Sequence, residues 1–158
     1  MSLTQLRNLG ILANAGISTT KLGTGAVLQV VSATFSTQTD LNAASFSATG
    51  LTASITPSSA SNKILILYSL PYRNPSSSNI NVTHTIFKNG SNLLGAFGAG
   101  ILKTDSVPIM ATATANYLDS PNTTSSTTYA IFVNPTSVTV QWCGGAATAS
   151  ITLLEIAA

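Results

Sequence analysis

The chain has 158 residues, of which six are Lys or Arg and four are Asp or Glu. Charged residues make up 6% of the sequence, whereas an average globular domain carries about 25%. A nucleic-acid-binding domain needs a basic stripe or patch, so a net charge of +2 excludes nucleic acid as the partner. Hydroxyl side chains replace the missing charges, since 44 of the 158 residues are Ser or Thr. The length predicts one domain.

Membrane insertion is also excluded by the sequence. The most apolar window, residues 93–102, is ten residues long, and about 18 are needed to span a bilayer. The N-terminal residues lack the basic region and unbroken apolar run of a signal peptide. A single cysteine, Cys143, permits neither an intrachain disulfide nor a cysteine metal cluster. We therefore expect a protein made in a reducing cytoplasm, used without cleavage, and free of metals and cofactors.

Residues 1–25 differ from the rest of the chain and are predicted to form an N-terminal arm. Ser2 and Gln5 fit a capping box, and leucines follow at a spacing of three, so a short helix is expected up to Gly10. Residues 11–25 contain three glycines and no periodicity. Either the arm packs back on its own domain, or it anchors the protein on another protein. The side chains available for anchoring are Leu3, Leu6, Leu9, Ile11 and Leu12.

Residues 26–158 are predicted to form a β domain. Runs rich in Val, Ile, Thr, Tyr and Phe favour strands, and they occur at 26–36, 51–56, 63–70, 80–88, 91–95, 107–118, 127–133, 137–143 and 150–156. Most are separated by Pro, Gly or Asn, and Asn89 followed by Gly90 is a strong hairpin signal. Eight or nine such strands without a long helical period indicate an all-β, antiparallel sandwich or barrel.

Several predicted strands are apolar on both faces. Residues 64–68 have no polar face, and in residues 127–133 both parities carry apolar side chains. A single sandwich buries one face of each strand, so the second face requires another apolar partner, which we expect to be a second copy of the chain. The residues predicted at such an interface are His84, Tyr129, Ile131 and Trp142.

The sequence offers few groups for catalysis. It has no GxSxG, HExxH or Walker motif, so an enzyme is not predicted. His84 lies on an apolar strand face, where a packed and hydrogen-bonded histidine is the usual case, although three copies meeting on an axis would be able to bind an ion. Cys143 is interpreted as a small buried side chain, Asp119 as a turn residue, and Glu155 as paired or solvated.

A carbohydrate-binding surface is the alternative that the sequence leaves open. The predicted loop residues Tyr72, Arg73 and Asn74 would supply an aromatic plane with polar partners. Three Asn-X-Ser/Thr sequences are interpreted as chance matches, because no secretory signal accompanies them.

Four segments of the sequence show a family resemblance. They are GAVLQVVSATFST at 25–37, GLTASITPSSASNKILILYSL at 50–70, YLDSP at 117–121 and ASITLLEIAA at 149–158. They resemble a group of virion proteins from tailed phages, especially aquatic ones, that is similar in outline to the tumour-necrosis-factor-like trimers. The resemblance begins near Gly25 and implies a trimeric β-sandwich of jelly-roll type on the virion surface. It carries no catalytic motif.

Two functions are compatible with this resemblance. The first is a capsid decoration or head-fibre protein, a homotrimer attached to the major capsid protein or another virion protein through residues 1–25. The second is the receptor-binding or glycan-binding tip of a tail or head fibre, whose partner would be a host surface glycan. A fibre tip normally needs a long shaft, and no shaft sequence is present, so the first is preferred.

Overall fold

The computed structural model describes residues 23–42, 45–75, 80–96, 98–104, 109–135, 139–143 and 147–158. The described part of the chain is all-β, as the strand-like runs predicted. Its eleven strands are β1 (Val27–Phe35), β2 (Thr39–Leu41), β3 (Ser47–Ile55), β4 (Lys63–Asn74), β5 (Ile80–Lys88), β6 (Ser91–Asn92), β7 (Gly100–Thr104), β8 (Ile109–Asp119), β9 (Thr127–Pro135), β10 (Val140–Trp142) and β11 (Ala149–Ile156).

The strands form two antiparallel sheets. The first, called sheet A, has the order β1-β11-β4-β10-β2, with β8 paired to the other side of β4. The second, sheet B, has the order β3-β9-β5-β6, with β7 also paired to β5. All the pairings are antiparallel. The two sheets enclose one apolar core, so the predicted antiparallel sandwich is confirmed at this level.

Alternating burial along the strands shows which parity faces the core. In β11, every second residue from Ala149 to Glu155 is buried, and the intervening residues are half-buried. In β4 the even-numbered residues are buried and the odd-numbered ones are half-buried or exposed. The largest side chains with almost no exposure are Trp142, Tyr129, Leu51, Ile55, Ile64, Ile66, Leu70, Ile86, Ile131, Ile151 and Leu153. Both sheets therefore contribute bulky side chains to one shared interior.

The local backbone conformation explains why glycine occupies two positions. Asn89 and Gly90 have positive φ angles of 48° and 83°, and Lys88 pairs with Ser91, which confirms the predicted hairpin. Gly50 has a φ of +90°, and a Cβ atom there would lie 2.5 Å from the Phe35 ring. This glycine lets β1 approach β3, and it lies where the register of β3 shifts against β9.

The observed strands differ from the predicted ones at several ends, including β4, which extends to Asn74 instead of residue 70, and at three further places. The prediction missed β2 and β7, which contain few of the residues that favour strands. It also started β3 at residue 51 instead of Ser47, because Ala48 and Gly50, on either side of Thr49, are residue types depleted in strands. The predicted helix before Gly10 and the arm up to residue 22 lie outside the described residues.

Candidate functional site

His84 is buried between the two sheets, where it contacts Tyr68. The histidine lies on β5 of sheet B and is 3% exposed, and its Nδ1 is hydrogen-bonded to the hydroxyl of Tyr68 on β4 of sheet A. Burial lowers the pKa of His84 and raises the pKa of Tyr68, so both side chains are neutral at pH 7. The packed, hydrogen-bonded histidine is therefore the interpretation that fits.

The chain after β6 packs tightly against the backbone of His84. Ala99 N donates a 2.7 Å hydrogen bond to the carbonyl oxygen of His84. Gly98 has a φ of +59°, and a Cβ atom there would lie 2.2 Å from the same oxygen, so this close approach requires glycine. The histidine is thus enclosed by its own chain and has no direct access to a copy of itself.

Asp119 forms a second connection between the sheets. Its carboxylate, at the end of β8 in sheet A, accepts hydrogen bonds at 2.9 and 3.1 Å from Lys88 Nζ and at 2.7 Å from the Tyr129 hydroxyl, both from sheet B. Asp119 is 5% exposed, so this ion pair is largely shielded from solvent. Burial, together with the negative charge of Asp119, raises the pKa of Tyr129. Asp119 therefore joins two sheets, a role beyond the turn residue that the sequence predicted.

Glu155 is a buried carboxylate surrounded by hydrogen-bond donors. Oε2 accepts from Gln29 Nε2 at 2.7 Å, and Oε1 accepts from Ser58 N and Oγ at 2.7 and 2.8 Å and from Asn62 Nδ2 at 2.6 Å. Burial by itself would raise the pKa of Glu155, but these hydrogen bonds outweigh it, and the pKa is lowered. This carboxylate ties β1, β11 and the segment after β3 together.

The thiol and the remaining acidic side chains of the described residues do not assemble into a site. Cys143 is buried, burial raises the pKa of its thiol, and its Sγ lies 3.3 Å from the carbonyl oxygen of Phe35. Asp40 is exposed and accepts a hydrogen bond from Gln38. Asp105 lies outside the described residues. Within the described ranges, no group of three or more His, Cys, Asp or Glu side chains is placed to hold a metal ion.

The four residues predicted at a subunit interface lie inside a single copy of the chain. His84 is 3% exposed, and Tyr129, Ile131 and Trp142 have no exposed surface. They occupy the parity that faces the opposite sheet, and the other parity of the same strands faces outward. An interface between copies, if one forms, would use other residues. The physical reason is that the bulkier of the two apolar faces fills the interior.

The predicted carbohydrate residues do not share a surface either. Tyr72 and Asn74 are directed into the sandwich, with 4% and 0% exposure, whereas Arg73 between them is exposed. Successive residues of a strand point to opposite faces, and these three lie within β4 instead of a loop. The predicted anchoring residues from Leu3 to Leu12 lie outside the described residues.

The outer face of sheet A carries a row of apolar side chains that the sequence analysis did not single out. Val30 on β1 pairs with Leu154 on β11, Leu154 pairs with Leu65 on β4, and Leu65 pairs with Leu118 on β8. This apolar row crosses four adjacent strands at one level. Val30 is 57% exposed and Leu118 is 47% exposed, and Leu65 and Leu154 are half-buried. Leu67, one level further along, is 39% exposed.

Next to the apolar row, the same face has two rows in which seven of eight residues carry hydroxyl or amide groups and Leu67 is the exception, and we call them the polar rows. One consists of Ser32, Thr152, Leu67 and Asn116, and the next of Thr34, Ser150, Ser69 and Thr114. An open depression of about 370 Å³ lies over them, bordered by Leu67, Tyr68, Ser69, Thr114, Ala115, Asn116, Ser150 and Thr152. The lining is uncharged, so the depression would suit a neutral, hydroxyl-rich partner.

Comparison with known proteins adds no identification. No protein-family model matches the chain, and no curated protein shows significant sequence similarity to it. Among the residues that the structure describes, no helix has the length and apolar character to cross a membrane.

Proposed function

We propose that this protein is a structural protein of a tailed-phage virion, a homotrimeric decoration or head-fibre protein attached to the capsid through residues 1–25. The proposal combines the resemblance of residues 25–158 to phage virion proteins with the antiparallel sandwich of those residues. It assigns the protein to the virion surface after assembly in the host cytoplasm. It assigns no catalytic activity and no cofactor.

The strand order supports a jelly-roll topology for this sandwich. Omitting the short strands, sheet A reads β1-β11-β4-β8 and sheet B reads β3-β9-β5-β7. The first and last strands are neighbours in one sheet, and the chain alternates between the sheets in the way that two Greek keys require. This is the topology that the resemblance implies for the trimeric virion proteins.

The observation that supports a structural role is that the buried ionisable groups are hydrogen-bonded within the chain. The three connections at His84, Asp119 and Glu155 each satisfy a titratable side chain inside the chain, with partners at hydrogen-bond distance. A catalytic acid or base has to reach a substrate, whereas these groups hold the two sheets and the chain ends together. Their contribution is to the stability of a particle-surface subunit.

Binding to the capsid tests the proposal. The full chain and a chain lacking residues 1–16 are each mixed with phage particles stripped of the protein, and bound protein is measured after sedimentation of the particles. We expect saturable binding by the full chain and loss of binding by the truncated chain, with both retaining the same circular dichroism spectrum. Binding that survives the truncation would contradict anchoring through the arm, and no binding by the full chain would contradict the capsid location.

The depression on sheet A favours a second candidate function, binding of a neutral host glycan by a fibre tip. Its polar lining comes from Ser69, Thr114, Asn116, Ser150 and Thr152, which have the donors and acceptors that recognise sugar hydroxyls. A glycan array and a cell-adsorption assay distinguish this candidate, because a decoration protein is expected to give no signal in either. Loss of an array signal in Asn116→Ala would locate the glycan in the depression.

A further inference from the structure

We infer that the outer face of sheet A is the surface through which copies of this chain bind one another, with the apolar row at the centre of the contact. This inference rests on the self-association in the proposed function and names the face that performs it. It is compatible with attachment to a capsid or to a fibre, but it places the polar rows in the contact between copies and so excludes the depression as a glycan site.

The apolar row is a contiguous patch. Its four residues are neighbours in register on four hydrogen-bonded strands, and Leu67 extends it toward the polar rows. Single exposed apolar side chains are common on protein surfaces, whereas a contiguous patch marks a site of interaction. Exposed apolar side chains lined up across a β-sheet are in position to pack against another flat surface.

On the outer face of sheet B, the chain covers apolar side chains with one another. There, Phe87 stacks on Phe132 with ring centroids 3.8 Å apart, and Phe46 contacts Phe87 edge-on at 6.1 Å. All three rings are half-buried by contacts within the chain. The described residues provide no comparable cover for the apolar row, so its partner has to come from elsewhere.

The charge distribution agrees with a second copy as that partner. Lys63 and Arg73 lie near opposite ends of β4 and are exposed on its outer face. Arg73 pairs with Gln141 on β10, and Gln141 pairs with Asp40 on β2, so Asp40 lies two strands away from Arg73. Between these ends, the described outward-facing residues of β1, β11, β4 and β8 are uncharged. Copies packed around a symmetry axis bring equivalent residues close together, and an uncharged centre removes the repulsion between identical charges.

The dimensions of the face are adequate for a stable contact. Four strands about 4.8 Å apart and about eight residues long give a projected area of roughly 500 Å², before the relief of the side chains is counted. Stable interfaces bury about 800 Å² per partner, which is the same order of size. The polar rows would supply hydroxyl and amide hydrogen bonds around the apolar centre, as in the rim of known interfaces.

Introduction of a charge into the apolar row is the first test. Leu118→Glu and Val30→Glu alter exposed positions on two different edges of the row, and Ala48→Glu alters an exposed position on the outer face of sheet B as the matched control. By sedimentation velocity at equal concentration, we expect the full chain and Ala48→Glu to be oligomeric and the two row variants to be monomeric. Row variants that remain oligomeric, or a full chain that is monomeric, would overturn the inference.

Thiol accessibility provides a second test, and its first comparison uses no charged substitution. Cys143 is buried, so a new cysteine reports on its own position. We expect Leu118→Cys to react with a maleimide at least tenfold more slowly than Ala48→Cys in the native protein, and to react as fast as Ala48→Cys once Val30→Glu is added. Equal rates in the native protein would contradict a contact on this face.

Slow labelling in a monomer would identify a different occupant. If the full chain is monomeric and deletion of residues 1–16 restores fast labelling of Leu118→Cys, the partner is the N-terminal segment, and the inference is wrong. Self-association through this face without binding to particles would leave the inference standing and contradict the capsid location. Binding to particles by a monomeric chain would support the capsid location and contradict the inference.

Discussion

The outer faces of the two sheets differ in how far the chain itself covers their apolar side chains. On sheet B, Phe46, Phe87 and Phe132 cover one another, whereas on sheet A the apolar row leaves Val30 and Leu118 about half exposed. The difference shows that apolar residues on both faces of a strand have two distinct uses. One completes the fold of a single chain, and the other provides a surface for a partner.

The interior is a third region with which the two outer faces can be compared, by the stability that a substitution removes. There, the side chains of His84, Asp119 and Glu155 have partners from the same chain, and the loss of one partner is costly. We therefore expect the stability lost by one isolated chain to decrease from the interior, through the outer face of sheet B, to the outer face of sheet A.

The largest effect is expected at the ion pair between the sheets. Asp119→Ala removes the acceptor of both Lys88 Nζ and the Tyr129 hydroxyl, and leaves a partly buried ammonium group without its partner. Removal of one partner from a buried pair costs about 3–5 kcal/mol, toward the lower end here because Lys88 is 27% exposed. Urea unfolding measures this loss. A cost below about 1 kcal/mol would show that Asp119 does not hold the sheets together.

The next effect concerns Glu155 and pH. Its folded-state pKa is lowered, so its stabilising contribution is present above the unfolded pKa and is lost as pH falls through the folded value. His84, whose pKa burial lowers, also favours unfolding as pH falls below its ordinary value near 6.5. We expect the melting temperature to decrease progressively from pH 7 to pH 3, and we expect Glu155 to contribute to the fall below about pH 4.5.

Glu155→Gln separates these two contributions. The amide cannot accept all four hydrogen bonds, so a loss of about 1–3 kcal/mol is expected at pH 7, together with a flatter pH dependence below about pH 4.5. Calorimetry from pH 3 to pH 7 provides the measurement. An unchanged slope in the variant would contradict the assignment to Glu155.

An intermediate effect is expected on the outer face of sheet B. Phe132→Ala removes a half-buried ring that stacks on Phe87 at 3.8 Å, at a cost of about 2 kcal/mol from lost contact and stacking. The loss is expected to be independent of protein concentration, because the contact lies within one chain. A concentration-dependent loss would place Phe132 in an intermolecular contact instead.

The smallest effect on an isolated chain is expected at the apolar row. Leu118→Ala should lower the unfolding free energy of the monomer by about 1 kcal/mol or less, because about half of the residue is already exposed to solvent. In the oligomer, the same substitution should weaken association and lower the melting temperature at low protein concentration. Equal melting temperatures for the full chain and the variant over a hundredfold dilution would remove the contrast between the two faces.

Much of the fold could be predicted from local sequence. The alternation of β-branched residues with turn residues predicted most strands and the Asn89–Gly90 hairpin. The same patterns could not show which apolar parity of residues 127–133 faces the other sheet, so Tyr129 and Ile131 were predicted at an interface. That choice depends on the volume enclosed by both sheets, which is a property of the tertiary structure.

The polar connections were harder to predict because their partners are distant in sequence. Glu155 and Asn62 are 93 residues apart, and Glu155 and Gln29 are 126 apart. One signal was present, since Glu155 shares its parity with Ala149, Ile151 and Leu153, which predicts a buried carboxylate. The apolar row could be found only from the register, because its residues come from four separate strands.

The mass of the full chain in solution, measured by light scattering at micromolar concentration, tests the central claim most directly. One chain has a mass of 16.1 kDa, and self-association as a trimer through the outer face of sheet A predicts about three times this value. A single species of 16.1 kDa across the accessible concentration range would contradict the claim.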